Sequence, residues 1–164
     1  MCDELIIGWL PFDHYMSDRI LLSLRTYRPW AQMVATAAAE IESQNTTALL
    51  LHVFDDDELS STRENIDSDG SMTVDGLAAR KSSITTAKKI LEDVNIGVEI
   101  RGIEHVGEPA DGILSMVDEA DMDRLYLYGR KRSQTGKAVF GSTLQRVLLN
   151  APVPVTVVPA SLSE

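Results

Sequence analysis

Short apolar runs alternate with stretches of helical period from residue 19 to residue 158, and this alternation constrains the fold more than any other feature. The runs at 19–24, 47–53, 98–103, 125–128 and 152–158 read as strands, because they are rich in Leu, Ile and Val with few charges. Between the first two, Trp30, Val34, Ala37 and Ile41 fall on one helical face, with Pro29 suited to the first turn. Leu77, Ile84, Leu91 and Val94 mark a second helix over about 73–95. Gly107-Glu108-Pro109 opens a third, with Ile113, Leu114 and Val117 on its buried side. Ser142 and Gln145 have capping-box spacing, so a fourth helix starts there. Pro154 places the last strand at a sheet edge. The acidic, Ser-rich stretch 55–71 is expected to be a long mobile loop.

Strands separated by helices need crossover connections. The fold class is therefore α/β: a five-stranded, mainly parallel open sheet with helices on both faces. Such sheets bind ligands beyond the carboxyl ends of their strands, which puts a site at residues 24–26, 53–55 and 128–143. A length of 164 residues suits one domain. The lone cysteine, Cys2, excludes a disulfide framework and a Cys-rich zinc site. The formal net charge of -10 disfavours nucleic-acid backbones and anionic membranes, so neither is expected as a partner. Five Lys and ten Arg against fourteen Asp and eleven Glu fit either a surface adapted to high salt or a merely acidic cytosolic protein. The apolar run at 5–12 is too short to span a bilayer, and Asp3 and Glu4 stand where a signal peptide would be basic. The expected location is cytoplasmic.

One loop stands out. Residues 129–143 read Gly-Arg-Lys-Arg-Ser-Gln-Thr-Gly-Lys-Ala-Val-Phe-Gly-Ser-Thr, with Arg130, Lys131, Arg132 and Lys137 in an otherwise acidic chain. Glycines Gly129 and Gly141 admit close backbone approach, and the amides at Gly141, Ser142 and Thr143 begin a helix that attracts anions. This suits a phosphate, although a solvated basic loop is the simpler account. It is not a Walker A loop, because Ala138 follows Gly136-Lys137.

These residues lead to a resemblance. Residues 18–158 resemble the universal stress protein family in its UspA-like form, as found in salt-loving archaea. The carriers are Asp18-Arg19-Ile20-Leu21-Leu22, Leu50-Leu51-His52-Val53, Gly107-Glu108-Pro109, and Gly141-Ser142 followed by Asn150-Ala151-Pro152-Val153-Pro154-Val155. The resemblance implies a sheet of the adenine-nucleotide alpha-hydrolase-like type, a homodimer joined through the last strand at Val153, Val155 and Val157, and ATP bound at the carboxyl edge. Magnesium would accompany the nucleotide; no other metal is expected. Binding members carry Gly-x2-Gly-x9-Gly-Ser/Thr after the fourth strand. Here Tyr128 and Lys131 hold the first two glycine positions, and Gly129 is one residue late. Arg25 stands where binding members place an acid, and Val53 matches the family's backbone contact to adenine. Tyr128 threatens the phosphate's approach, whereas Arg25 and Lys131 favour an anion.

The expected function is a regulatory or protective module that binds ATP or another adenine nucleotide through Arg25, Val53, Tyr128, Gly129, Arg130, Lys131, Gly141, Ser142 and Thr143. It is not expected to be an enzyme beyond weak ATPase activity. The alternatives are an ATP-silent dimeric interaction protein of the same family and a nucleotide-using enzyme of the ATP pyrophosphatase type. The last would need a Ser-Gly-Gly-x-Asp-Ser-like loop, which Ser23-Leu24-Arg25-Thr26-Tyr27 does not supply. His14, His52 and His105 lack metal spacing, Asp55-Asp56-Asp57 reads as a solvated turn, and Ser142 has no His/Asp partner. Trp30 and the tyrosines read as packing residues. Residues 1–17 are an extension, either an added strand or upstream of a start at Met16; 18–160 form the domain and 161–164 a tail.

Overall fold

The computed structural model describes residues 17–105, 107–130 and 140–159. The elements run β1 (Asp18–Ser23), α1 (Arg28–Ile41), β2 (Thr46–Phe54), α2 (Asp56–Ile66), α3 (Val74–Ala79), α4 (Ser82–Asp93), β3 (Gly97–Glu104), α5 (Pro109–Glu119), β4 (Arg124–Gly129), α6 (Ser142–Asn150) and β5 (Val155–Pro159). The five strands form one sheet in the order β3-β2-β1-β4-β5, with every neighbouring pair parallel. The expected α/β class and parallel sheet are what the structure shows.

The central strand explains the arrangement. Ile20, Leu21 and Leu22 are completely buried, each contributing about 1.5–3 kcal/mol of burial. Ile20 and Leu22 enter the core under α1 and α4, with Val34, Ala35, Ile84 and Leu91. Leu21 enters the opposite core under α5 and α6, with Ile113, Val117, Leu144 and Val147. A strand apolar on both faces can satisfy its backbone only between two other strands, and β1 lies between β2 and β4.

At the amino end of the sheet, a polar clamp ties α1 to β4. Arg124 donates from Nε and Nη2 to the two oxygens of Glu42 at 2.7 and 2.6 Å, and the Tyr126 hydroxyl donates to Glu42 Oε1 at 2.6 Å. Burial pushes the Glu42 carboxyl up, but the bonds from Arg124 and Tyr126 outweigh it and leave it below the usual range. Burial and the bond to Glu42 push the Tyr126 hydroxyl up.

Several expectations are corrected. The stretch read as a mobile loop contains α2, an eleven-residue helix. Only Leu59 is buried on it, so hydrophobic period gave no signal; capping builds it instead. The Asp55 carboxylate accepts from the Glu58 amide at 2.7 Å, and Asp56, Asp57 and Glu58 complement the helix dipole. The single helix expected over 73–95 is two, because the chain breaks at Arg80 and Lys81. The break lets α3 lie against β3, where a Cβ at Gly102 would sit 2.4 Å from the Val74 carbonyl oxygen. There the Asp75 carboxylate accepts from the Gly102 amide at 2.8 Å, satisfying a donor on the outer strand.

The buried stripe of α1 is Ala31, Val34, Ala35 and Ala38, while Ile41 is 62% exposed. Small alanines allow α1 and α4 to approach closely, and that outweighs burying Ile41. The last strand begins at Val155, so Val153 precedes it. Val153, Val155 and Val157 are half-buried against the core under α5 and α6.

Candidate functional site

Sheet order reverses at β1, and a cleft of about 460 Å³ opens there beyond the carboxyl ends of the strands. Its walls come from the segments after each of β1 to β4 and from the start of α6. Val53, Ile113 and Leu127 supply apolar surface. Arg25 and Arg130, both exposed, supply positive charge. Gly141, Ser142 and Thr143 present the amino end of α6.

The start of α6 differs from the expected capping box. Gly141, not Ser142, is the N-cap, and no side chain caps it among the described residues. Gln145 reaches past it, donating from Nε2 to the Phe140 carbonyl at 2.7 Å. The first-turn amides of α6 therefore keep their capacity to meet an anion, with the helix dipole behind them.

Tyr128 has a different role from the expected obstruction. Its ring stacks on Trp30, with centroids 4.5 Å apart and planes 14° from parallel. It packs on the α1 side of the sheet, whereas Leu144 of α6 packs on the other. Gly129 does not line the cleft: it is buried, and a Cβ there would lie 2.4 Å from Val157 Cγ1. Its smallness makes room for β5. Lys131 falls outside the described residues. Arg25, Val53, Tyr128, Arg130, Gly141, Ser142 and Thr143 thus share one cleft, and Gly129 stands behind it.

The floor holds a network that the sequence did not announce. His52 is buried; its Nδ1 lies 3.1 Å from the Leu24 carbonyl oxygen and its Nε2 2.8 Å from Glu58 Oε1. The same oxygen accepts from Thr26 Oγ1 at 2.9 Å and Lys81 Nζ at 2.8 Å. The Lys81 ammonium lies 5.2 Å from the centre of the Phe54 ring. Burial pushes the Glu58 carboxyl up, but the bonds from His52 and Lys81 overcome it and hold it at about 2. Glu58 thereby ties α2, β2, α4 and the segment after β1 together. Nothing in the sequence marks it, because its partners stand 6, 23 and 32 residues away. His105 also borders the cleft, and its Nε2 is buried without a hydrogen-bond partner among the described residues. No cluster of three His, Cys, Asp or Glu that could hold a metal ion occurs among the described residues.

This arrangement can grip an anion at the α6 end and hold a flat apolar group against Val53, Ile113 and Leu127. Comparisons with known proteins give the family and the fold. Residues 16–159 match the model of the universal stress protein family. A universal stress protein of Mycolicibacterium smegmatis is 34% identical over 90 residues, which are 54% of this chain and 68% of that one. The fold is similar to that of a universal stress protein from Archaeoglobus fulgidus, with a TM-score of 0.64 and 23% identity over 86% of this chain and 98% of that one. It is also similar to the universal stress protein of that organism in complex with dAMP, with a TM-score of 0.60 and 18% identity over 87% and 98% of the two chains.

The Glu58 network makes a testable claim about pH. A carboxyl depressed to about 2 stabilises the fold above its unfolded value, and that stability is lost as pH falls through the folded value. The depression amounts to roughly 3 kcal/mol at neutral pH. Glu58→Gln should lower the thermal midpoint at pH 7, and the gap from wild type should close as pH falls from about 5 toward 2. A gap that does not change with pH would contradict the assignment.

Proposed function

The chain belongs to the universal stress protein family, and on that premise we propose that it is a regulatory or protective module that binds an adenine nucleotide in the cleft between β1 and β4. The observation that carries this reading is the meeting, in one cleft, of the uncapped amino end of α6, the arginines Arg25 and Arg130, and the apolar wall that includes Val53. The phosphate lies at Gly141, Ser142 and Thr143, and the base lies against Val53. The complex of the Archaeoglobus fulgidus relative with dAMP supports the choice of base. ATP is within the ligand class, with Mg²⁺ arriving on its phosphates. Tyr128, drawn aside onto Trp30, leaves the approach to α6 open.

The proposed working form is a homodimer paired through the free edge of β5 in the cytoplasm. Supporting it, β5 is an outer strand whose far side has no partner among the described residues. The lysine-poor, acidic surface supports a saline environment. Light scattering in molar KCl should give the mass of two chains, and a single-chain mass would contradict the dimer.

Calorimetric titration tests the ligand. AMP and ATP should release heat and saturate one site per chain. Arg130→Ser should weaken both by about tenfold or more, as expected for a lost charge-assisted hydrogen bond. No heat from either nucleotide at millimolar concentration would make the chain an ATP-silent interaction module instead.

A further inference from the structure

Just outside the mouth of the cleft, the lining continues along the start of α1. Tyr27 and Arg28 do not border the cleft, yet Tyr27 lies edge-on to Trp30, with ring centroids 5.0 Å apart and planes at 77°. With the Trp30–Tyr128 stack, this joins three rings across the point where the sheet order reverses. The chain has only two tryptophans and four tyrosines. The Trp30–Tyr128 stack serves the fold by bridging α1 to β4. Tyr27 has no such account: it is 54% exposed, and unlike the more exposed Ile41 and Leu149 it adjoins Thr26 and Trp30, which line the cleft.

Charge gives an independent sign. Arg19, Arg63, Lys81, Arg124 and Arg146 each pair with a carboxylate. Arg25, Arg28 and Arg130, like Arg80 and Arg101, are exposed and make no ion pair among the described residues; of these, Arg25 and Arg28 follow β1 and Arg130 follows β4. Arg28 is the first residue of α1, whose first turn holds no acid. A cation there opposes the helix dipole, so stability alone would not choose it. Unpaired arginines beside an exposed ring match a ligand that brings both an anion and a flat π-face.

Resting on the reading that the cleft holds one nucleotide, we infer that Tyr27 and Arg28 form a second subsite, and that the favoured ligand is a dinucleotide: two nucleosides joined through phosphate. The first nucleotide occupies the cleft. The linking phosphate passes Arg25 and Arg28, and the second base stacks on Tyr27. The net charge of -10 repels a longer strand, which confines the ligand to the arginine-flanked ledge.

The test is calorimetric titration of the full chain with AMP, with the 5′-phosphorylated dinucleotide pApA and with a fifteen-nucleotide oligoadenylate. Stacking of one added base on an aromatic ring corresponds to about fivefold or more in affinity. Wild type should bind pApA at least that much more tightly than AMP. Tyr27→Ala and Arg28→Ser should each reduce this advantage while leaving AMP affinity unchanged, and Tyr27→Phe should keep it. Equal affinities for AMP and pApA, or an advantage that survives both substitutions, would overturn the second subsite. A further large gain for the oligoadenylate would assign the ledge to a nucleic-acid strand and overturn the dinucleotide. Heat from pApA alone, lost in Tyr27→Ala, supports the subsite but counts against a mononucleotide as sufficient ligand; heat from none of the three overturns both readings.

Discussion

The burial of β1 between two parallel neighbours governs the rest of the molecule. Ile20, Leu21 and Leu22 have no exposure, so the strand must bond β2 on one side and β4 on the other. The crossovers then run in opposite directions from β1. Right-handedness puts α1 and α4 on one face and α5 and α6 on the other. Where the two directions part, no helix among the described residues covers the carboxyl ends of β1 and β4. The cleft is this gap, and the core that stabilises the fold therefore creates it.

A gap of this kind needs its rim held in place. Leu24, just past β1, donates its amide to the Leu51 carbonyl at 2.9 Å and gives its own carbonyl to His52. His52 passes the constraint to Glu58, which Thr26 and Lys81 also reach. The segment that carries Arg25 is thereby anchored at both sides by polar contacts. A half-buried carboxylate is costly alone, and three partners on one oxygen are what allow Glu58 to remain charged there. The amino end of the sheet uses the same device with Glu42, Arg124 and Tyr126.

The strands were legible because burial on both faces writes long apolar runs, as in Leu49-Leu50-Leu51. The cation-bearing edge was legible because Arg130 and Gly141-Ser142 stand out in an acidic chain. Helix α2 was not, since it rests on the Asp55 cap and on Glu58, and neither leaves a hydrophobic period. The break at Arg80–Lys81 was hidden because Leu77, Ile84 and Leu91 keep a helical spacing across it. Tyr128 was read from its bulk, but its direction depends on Trp30, a partner 98 residues away in the chain. Gly129 likewise answers to Val157 across the β4–β5 pair. Local pattern records what each element buries; it does not record which distant side chain a polar or aromatic group will meet.

The central claim is that the amino end of α6 and the end of β2 together hold a nucleotide. Backbone amide NMR during AMP titration tests it most directly, because it reports each position separately. Saturable shifts should concentrate at Gly141, Ser142, Thr143 and Val53, with Asp18 and Thr46 at the opposite end of the sheet unmoved. Shifts that never saturate, or that concentrate away from α6 and β2, would contradict the account.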